Sequence, residues 1–106
     1  MEITREDKDG LTVVVLKGEV DMRSSPDLRK GLLQVSKESV PHVAISLQDV
    51  SYIDSSGIAT LIECLKHVCE YGGKLTLFGV NENIYPVFEL AHLHDVFDLR
   101  RDVTLD

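Results

Sequence analysis

The stretch Tyr52-Ile53-Asp54-Ser55-Ser56-Gly57-Ile58 marks a change of secondary structure. The apolar run 43–47 before it is typical of a strand, whereas the apolar residues after it recur at the three- and four-residue spacing of a helix. Asp and Ser side chains accept hydrogen bonds from the free N–H groups of a first helical turn, so Asp54 and Ser55 are both candidates for the N-cap. We therefore predict that a helix begins here and ends at Gly72-Gly73.

The residues of this helix separate into two faces. The face predicted to be buried consists of Ile58, Leu61, Ile62, Leu65, Val68 and Cys69, and the polar face of Thr60, Glu63, Lys66, His67 and Glu70. Cys64 lies at the edge of the apolar face. Because two residues five positions apart on a helix are turned by about 140° from each other, we predict no disulfide but two small buried side chains in a reducing compartment.

The start of this helix brings two hydroxyl groups and a carboxylate together. A helix N-terminus carries partial positive charge and unpaired N–H groups, and it therefore favours phosphate. One interpretation is a helix cap alone, with one serine that has no further role. The other is a functional serine, because Gly57 lowers helix propensity in the first turn and leaves the backbone beside Ser56 open.

Composition limits the class of protein and of partner. A chain of 106 residues with 43% hydrophobic and 27% charged residues is expected to form one soluble domain. It contains no apolar run near the ~18 residues that span a membrane, and its N-terminus does not resemble a signal peptide, so we expect a cytoplasmic protein without membrane insertion. The net charge of -7 argues against nucleic acid and favours a basic protein partner.

The N-terminal part is predicted to form a β-hairpin. Ile3–Arg5 and Leu11–Lys17 have strand composition, and Asp9-Gly10 between them tolerates the positive φ angles of a tight turn. The second strand is almost entirely apolar up to Leu16, which predicts a strand covered on both faces. The following segment, from Gly18 to Asp21, is predicted to lead out of the strand.

The rest of the chain alternates between helices and strands. Serine and proline at Ser24-Ser25-Pro26-Asp27 predict a helix that buries Leu28, Leu32 and Val35. A third helix should start at Asn81 or Asn83, with Ile84, Val87, Phe88 and Ala91 inside. The further strands are predicted at Val43–Leu47, Lys74–Gly79 and Val96–Leu99, with residues 48–52 as a connection and 100–106 as a frayed tail.

This alternation predicts an α/β fold with a mostly parallel central sheet, an N-terminal hairpin and packed helices. Sites in such sheets form at the carboxyl ends of the strands. Asp21 follows the second strand, and Asp54, Ser55 and Ser56 follow the third, so we expect them at the same edge of the sheet. The alternative for Asp21 is a solvated loop acid without a role.

Several kinds of catalytic or cofactor site are not indicated. The G-x-S-x-G motif of hydrolases is absent, since Asp54-Ser55-Ser56-Gly57 lacks the first glycine. His92 and His94 lie near a predicted helix end without cysteine or carboxylate at metal-ligand spacing. The chain also lacks a Walker loop and G-x-G-x-x-G. We therefore predict no cofactor, no metal and no enzymatic activity.

Taken together, these residues resemble the STAS domains, and among them most of all the bacterial anti-sigma factor antagonists. The resemblance covers nearly the whole chain, as a single domain over 1–106. Its most specific motif is Asp-Ser-Ser-Gly at the start of the central helix; supporting motifs are Gly18-Glu19-Val20-Asp21, Gly73-Lys74-Leu75-Thr76-Leu77 and Gly79-Val80-Asn81. The chain departs from the family at Ser46, where an acid is usual, and in its short end after Leu99.

The resemblance implies a regulatory protein in a partner-switching pathway. Ser56 matches the serine that is phosphorylated by an anti-sigma factor that is also a serine kinase, and that partner binds ATP and Mg²⁺. Asp21 matches the acid beside that serine, and the expected partner surface consists of Asp21, Asp54, Ser55, Ser56 and Gly57. A metal-dependent serine phosphatase would reverse the modification. The alternative is an adaptor without a phosphate cycle, in a phospholipid ABC transporter or another signalling assembly.

Overall fold

Strands and helices alternate along the chain after an N-terminal hairpin. The protein is described by a computed structural model over residues 1–103. Within these residues the elements are β1 (Glu2–Lys8), β2 (Leu11–Val20), α1 (Ser25–Lys37), β3 (His42–Ile53), α2 (Ser55–Glu70), β4 (Lys74–Phe78), α3 (Tyr85–Leu90) and β5 (Asp98–Leu99). In this part of the chain, no helix has both the length and the apolar character needed to cross a membrane.

The five strands form one sheet in the order β1-β2-β3-β4-β5. Strand β1 is antiparallel to β2, and the other neighbouring pairs are parallel. The hairpin turn falls at Asp9 and Gly10, whose φ angles are 44° and 82°, as the sequence predicts. The predicted α/β class with a mixed, mostly parallel sheet is confirmed.

The main core lies between the sheet and the helices. Right-handed crossovers that advance in one direction through a sheet place their helices on the same face. The strand residues of the core include Val14, Leu16, Val43, Ile45, Leu47, Leu75 and Leu77. In β2 burial alternates, with Val14 buried and Val13 only partly so. The prediction that β2 is covered on both faces was therefore wrong, since Leu11, Val13 and Val15 are only partly buried; the central strand β3 is buried on both faces over 43–47.

Strands β2 and β3 are longer than the sequence predicts. Residues Lys17–Val20 continue β2 and pair with 49–53 of β3, after register shifts that interrupt the regular ladder. The sequence predicts that the chain leaves the sheet after Lys17 and that residues 48–52 form a connection. Both segments are strand in the structure. Their polar residues are compatible with a strand because Val50 and Ile53 alone face the core, while Gln48, Asp49, Ser51 and Tyr52 are exposed.

Helices α1 and α2 mostly follow the predicted faces. Leu28, Leu32 and Val35 are buried in α1. In α2 the buried residues are Gly57, Ile58, Thr60, Leu61, Cys64 and Val68, whereas Cys69 is exposed. The predicted burial of Cys69 was wrong because α1 packs beside α2 and moves the centre of the buried stripe towards Thr60 and Cys64. Burial raises the pKa of the Cys64 thiol to about 11, which keeps it protonated at neutral pH.

The C-terminal elements differ from the prediction at both ends of α3. The helix begins at Tyr85, after a turn in which Asn81 accepts the N–H of Asn83 with its side-chain oxygen, while its amide nitrogen donates to three carbonyl groups of β3. Ile84 and Phe88 are buried as predicted, but Ala91 follows the helix and is exposed. The predicted frayed tail partly lies outside the described residues; within them, the carbonyls of Arg100 and Asp102 accept hydrogen bonds from residues 79 and 80, just after β4.

Candidate functional site

The carboxyl ends of β2 and β3 meet at one edge of the sheet, where helices α1 and α2 begin. The backbone N–H of Asp54 donates to the carbonyl oxygen of Val20 at 3.1 Å, which ties the two strand ends together. We call this region the serine edge and define it by Asp21, Ser25, Asp54 and Ser56. The predicted meeting of the two polar loops is therefore found in the structure.

Asp54 is the N-cap of α2. It has extended backbone angles, and its Oδ1 accepts hydrogen bonds from the backbone N–H groups of Ser56 at 2.9 Å and Gly57 at 3.2 Å. The same oxygen accepts the hydroxyl proton of Ser56, at 2.6 Å. Of the two cap candidates, the structure thus selects Asp54, and Ser55 is the exposed first residue of the helix.

The hydrogen bonds to Asp54 keep its carboxyl group ionised. The Ser56 hydroxyl is the main cause of a lowered pKa of Asp54, with smaller contributions from the N–H groups of Gly57 and Ser56, while desolvation and the charge of Asp21 act in the opposite direction. A carboxylate whose pKa is lowered is a weak base. Asp54 therefore orients the Ser56 hydroxyl rather than deprotonating it.

Asp21 organises the turn between β2 and α1. Its carboxylate accepts the side chain of Arg23 at 3.1 Å and the backbone N–H groups of Arg23 and Ser24 at 2.9 and 3.3 Å. Arg23 is the main cause of the lowered pKa of Asp21. The Asp21 side chain is 15% exposed, in contrast to a solvated loop acid, although Arg23 is 85% exposed.

Ser25 connects the two helices and was not singled out from the sequence. Its hydroxyl lies 2.9 Å from the hydroxyl oxygen of Ser56, and it donates to the carbonyl oxygen of Asp21 at 2.7 Å. In the sequence, Ser25 stands beside Pro26 in a helix-opening motif, which offers no sign of a contact with a residue 31 positions further on. The contact exists because α1 and α2 start at the same edge of the sheet.

An open cavity gives access to Ser56. The cavity has a volume of about 440 Å³ and is lined by Met22, Ser25, Pro26, Arg29, Ser56, Ala59 and Thr60. Ser56 itself is half-buried, and Met22 at the mouth of the cavity is 75% exposed. Ser56 therefore borders open space while both helices are folded.

Gly57 is buried, and its role differs from the predicted one. A Cβ atom at this position would lie 2.6 Å from Cγ1 of Val20 and 2.8 Å from Cγ1 of Ile53. The glycine therefore allows the first turn of α2 to approach the ends of β2 and β3, and it does not expose backbone beside Ser56. Of the five residues predicted for a partner surface, Gly57 alone is fully covered.

With this geometry established, comparison with known proteins identifies the class. A family model described as the STAS domain matches residues 2–105, so the chain belongs to the STAS domain family. It is 34% identical to the anti-sigma-B factor antagonist of Bacillus subtilis over 86 residues, which cover 81% of this chain and 78% of that protein. The corresponding antagonist of Listeria monocytogenes is 27% identical, over 94% of this chain and 87% of the relative.

The structural comparison agrees with the family. The crystal structure of an anti-sigma factor antagonist from Mycobacterium paratuberculosis superposes with a TM-score of 0.87 and 28% identity, over 99% of this chain and 87% of that chain. The relatives are thus named for a regulatory function and not for catalysis. The predicted resemblance to STAS domains and to anti-sigma factor antagonists is confirmed.

Proposed function

We propose that this protein is an anti-sigma factor antagonist controlled by phosphorylation of Ser56. In its unmodified form, the serine edge and the exposed residues around it bind a cytoplasmic anti-sigma factor that is also a serine kinase, and so release the sigma factor. Phosphorylation of Ser56 by that kinase ends the complex. The observation that carries the proposal is the Ser56 hydroxyl, which is oriented by Asp54 and opens into the cavity beside Met22.

The phosphate transfer requires groups that the partner supplies. The Ser56 Oγ attacks the γ-phosphorus of an ATP molecule held by the partner with Mg²⁺, the new P–O bond forms, and ADP leaves. The hydroxyl proton passes to a base of the kinase, since Asp54 is a weak base. A metal-dependent serine phosphatase then hydrolyses the ester and restores the hydroxyl. The antagonist is a substrate of both enzymes and needs no cofactor.

The charge change is large enough to separate the partners. Phosphorylation adds about 1.5 to 2 negative charges next to the carboxylates of Asp54 and Asp21. A change from 99% bound to 1% bound requires about 5.5 kcal/mol of differential affinity. Desolvating a neutral polar group without a partner already costs about 1–3 kcal/mol, and an unpaired dianion costs more. Electrostatics at the interface therefore suffices without a conformational change of the domain.

The experiment uses Ser56→Ala with Ser55→Ala as the matched control. With an anti-sigma factor kinase from the same genome and ATP, Ser55→Ala should gain one phosphate by intact mass and Ser56→Ala none, while Ser56→Ala still binds the kinase. Ser56→Asp should bind on the order of 100-fold more weakly, because it adds about half the charge of a phosphate.

Two results would contradict this function. If Ser56→Ala gains phosphate as fast as the parent, the modified residue is another one. If the parent binds its partner but never gains phosphate, the protein acts as a constitutive adaptor, for example in a phospholipid ABC transporter.

A further inference from the structure

A phosphate on Ser56 cannot be bound by the N–H groups at the N-terminus of α2, although the sequence suggests them as its donors. The N–H groups of Ser56 and Gly57 at the start of α2 are already bound to Oδ1 of Asp54. In addition, a phosphorylated Oγ has no proton, so the 2.6 Å contact between Ser56 and Asp54 would become a repulsion between negative atoms. The phosphoserine side chain must therefore turn away from Asp54, and the cavity is the open space next to it.

Apart from Ser56, three residues with donor groups line that cavity: Ser25, Arg29 and Thr60, of which Thr60 donates its hydroxyl to the carbonyl oxygen of Ser56 at 2.9 Å. The Ser25 hydroxyl is 2.9 Å from the Ser56 oxygen, and Arg29 lies one helical turn after Ser25 on the same side of α1. Arg29 is 55% exposed and is held by the carboxylate of Glu63, with Nε at 2.9 and 3.1 Å from its two oxygens. Helical side chains lean towards the N-terminus of their helix, which for Arg29 is the direction of Ser56.

We propose that Arg29 and Ser25 form an internal phosphate-binding site, in which Arg29 leaves Glu63 and binds the phosphate of Ser56. This inference rests on Ser56 as the modified residue and goes beyond it by assigning the groups that hold the phosphate. The site lies within one domain and is made by α1 for a residue of α2.

The exchange of partners is energetically feasible. An exposed arginine–carboxylate pair contributes little to stability, so its loss has a small cost. A phosphate dianion offers more charge and three oxygens, and it matches the planar guanidinium group with two parallel hydrogen bonds. Glu63 keeps a second neighbour, since an oxygen of its carboxylate lies 3.6 Å from Nε2 of His67.

The Ser25 hydroxyl can also change its partner without leaving an unsatisfied group. At present its proton is donated to the carbonyl oxygen of Asp21. That oxygen also accepts the backbone N–H groups of Ser25 at 2.8 Å and Ser24 at 3.2 Å, so it stays hydrogen-bonded when the hydroxyl rotates. The hydroxyl is then available to donate to a phosphate oxygen.

The test measures the second pKa of the phosphate by ³¹P NMR. Phosphoserine is placed at position 56 during translation with an expanded genetic code, so the sample needs no kinase. A cation that binds the dianion lowers this pKa below its usual value of about 6. Arg29→Ala should raise it by about 0.5–1 unit, and Arg29→Lys should restore part of the difference because the charge returns without the planar fork.

The matched control is Arg23→Ala. Arg23 is an exposed arginine of the same edge and its removal changes the net charge equally, but it binds Asp21 and does not line the cavity. Glu63→Gln should lower the phosphate pKa more strongly in the presence of Arg29 than in the Arg29→Ala background.

The outcome decides this inference separately from the proposed function. A larger pKa increase for Arg29→Ala than for Arg23→Ala supports the internal site. Equal shifts for the two variants overturn it, whether or not a kinase phosphorylates Ser56. Conversely, failure of a kinase to modify Ser56 overturns the proposed function and leaves the result of the titration unchanged.

Discussion

The two ends of the sheet hold their carboxylates in different ways. At the serine edge, Asp54 is bound mainly by neutral donors, namely a hydroxyl and two backbone N–H groups. At the opposite end, which we call the hairpin edge (Arg5, Asp7, Thr12 and Glu38), Arg5 binds Glu38 with two hydrogen bonds of 2.6 and 2.9 Å and also binds Asp7.

Under the proposed function, this difference distinguishes the edge that is phosphorylated from an edge held by ion pairs. At the hairpin edge Arg5, whose side chain is 29% exposed, binds both carboxylates, and the Thr12 hydroxyl donates a further hydrogen bond to Asp7 at 2.6 Å. At the serine edge Asp54 accepts the half-buried Ser56 hydroxyl, and the nearby Arg23 and Arg29, which bind Asp21 and Glu63, are exposed. Under the proposed function, charge added at the serine edge weakens binding of the anti-sigma factor, whereas the ion pair of the hairpin edge joins β1 to the C-terminus of α1.

The largest expected effect concerns the tight contact at the serine edge. Gly57→Ala should lower the free energy of unfolding by about 1–3 kcal/mol, because the new Cβ would lie 2.6 Å from Val20. The matched control is Gly31→Ala in α1, where nothing lies within 4 Å of the new Cβ. This change should stabilise the protein by about 0.5–1 kcal/mol. Urea unfolding of both variants checks the prediction. If both substitutions change the free energy of unfolding in the same direction, the prediction is contradicted.

The next effect concerns the cap of α2. Asp54→Ala removes the acceptor of two N–H groups and of the Ser56 hydroxyl, so its Tm should fall by several degrees. The Tm of Asp54→Asn should fall less, because this variant keeps a side-chain oxygen at the N-cap. Thermal unfolding followed by circular dichroism gives both values. A fall of the same size for the two variants would mean that the charge of Asp54, and not its hydrogen bonds, stabilises the helix end.

A smaller effect is expected at the hairpin edge. Glu38→Gln breaks the ion pair with Arg5, and exposed pairs contribute little, so the Tm should change by no more than a few degrees and the change should shrink at high salt. Binding to the anti-sigma factor should stay at the parental value. Weaker binding of Glu38→Gln in a titration with the purified partner would show that the hairpin edge also belongs to the interface.

The smallest effect is a difference in salt dependence between two pKa values. Arg5 lowers the pKa of Glu38, and the Ser56 hydroxyl lowers that of Asp54. About 1 M salt should move the pKa of Glu38 back towards its usual value and leave that of Asp54 nearly unchanged. Carboxyl ¹³C NMR titrations at low and high salt measure both. Equal changes of the two pKa values with salt would mean that both carboxylates are stabilised by charge interactions alone.

These two groups contribute to the dependence of stability on acid pH, together with Asp7, Asp21, Glu63 and Asp98, whose pKa values are also lowered. A lowered pKa means that the folded state binds the proton less tightly than the unfolded state, so the contribution to stability is present above the usual carboxyl range. It is lost as the pH falls through about 4 towards the lowered values. Asp54→Asn should therefore show a shallower decline of stability below about pH 5 than the parent does.

Local patterns in the sequence predicted the elements well. The spacing of Leu28, Leu32 and Val35 and the turn at Asp9-Gly10 reflect backbone preferences and helix periodicity, which act within a few residues. The errors occurred where distant segments decide. Cys69 is exposed because α1 covers the other side of α2, and residues 48–52 are strand because β2 continues beside them.

The site was predicted only in part for the same reason. Asp54 and Ser56 stand next to each other in the sequence, so their chemistry can be read from it. Ser25 and Arg29 come from α1, and nothing in their own neighbourhood indicates that they line the cavity of Ser56.

The sequence by itself determined the order of the elements, a helix start at Asp54 or Ser55 and the presence of a serine there, because caps, turns and apolar periodicity are local properties. The tertiary structure alone decided that Ser25 lies 2.9 Å from Ser56, that Arg29 lines the same cavity, and that Gly57 is needed for close packing against Val20. These contacts depend on the crossovers that start both helices at one edge of the sheet, and such a geometry is fixed only when the sheet is assembled.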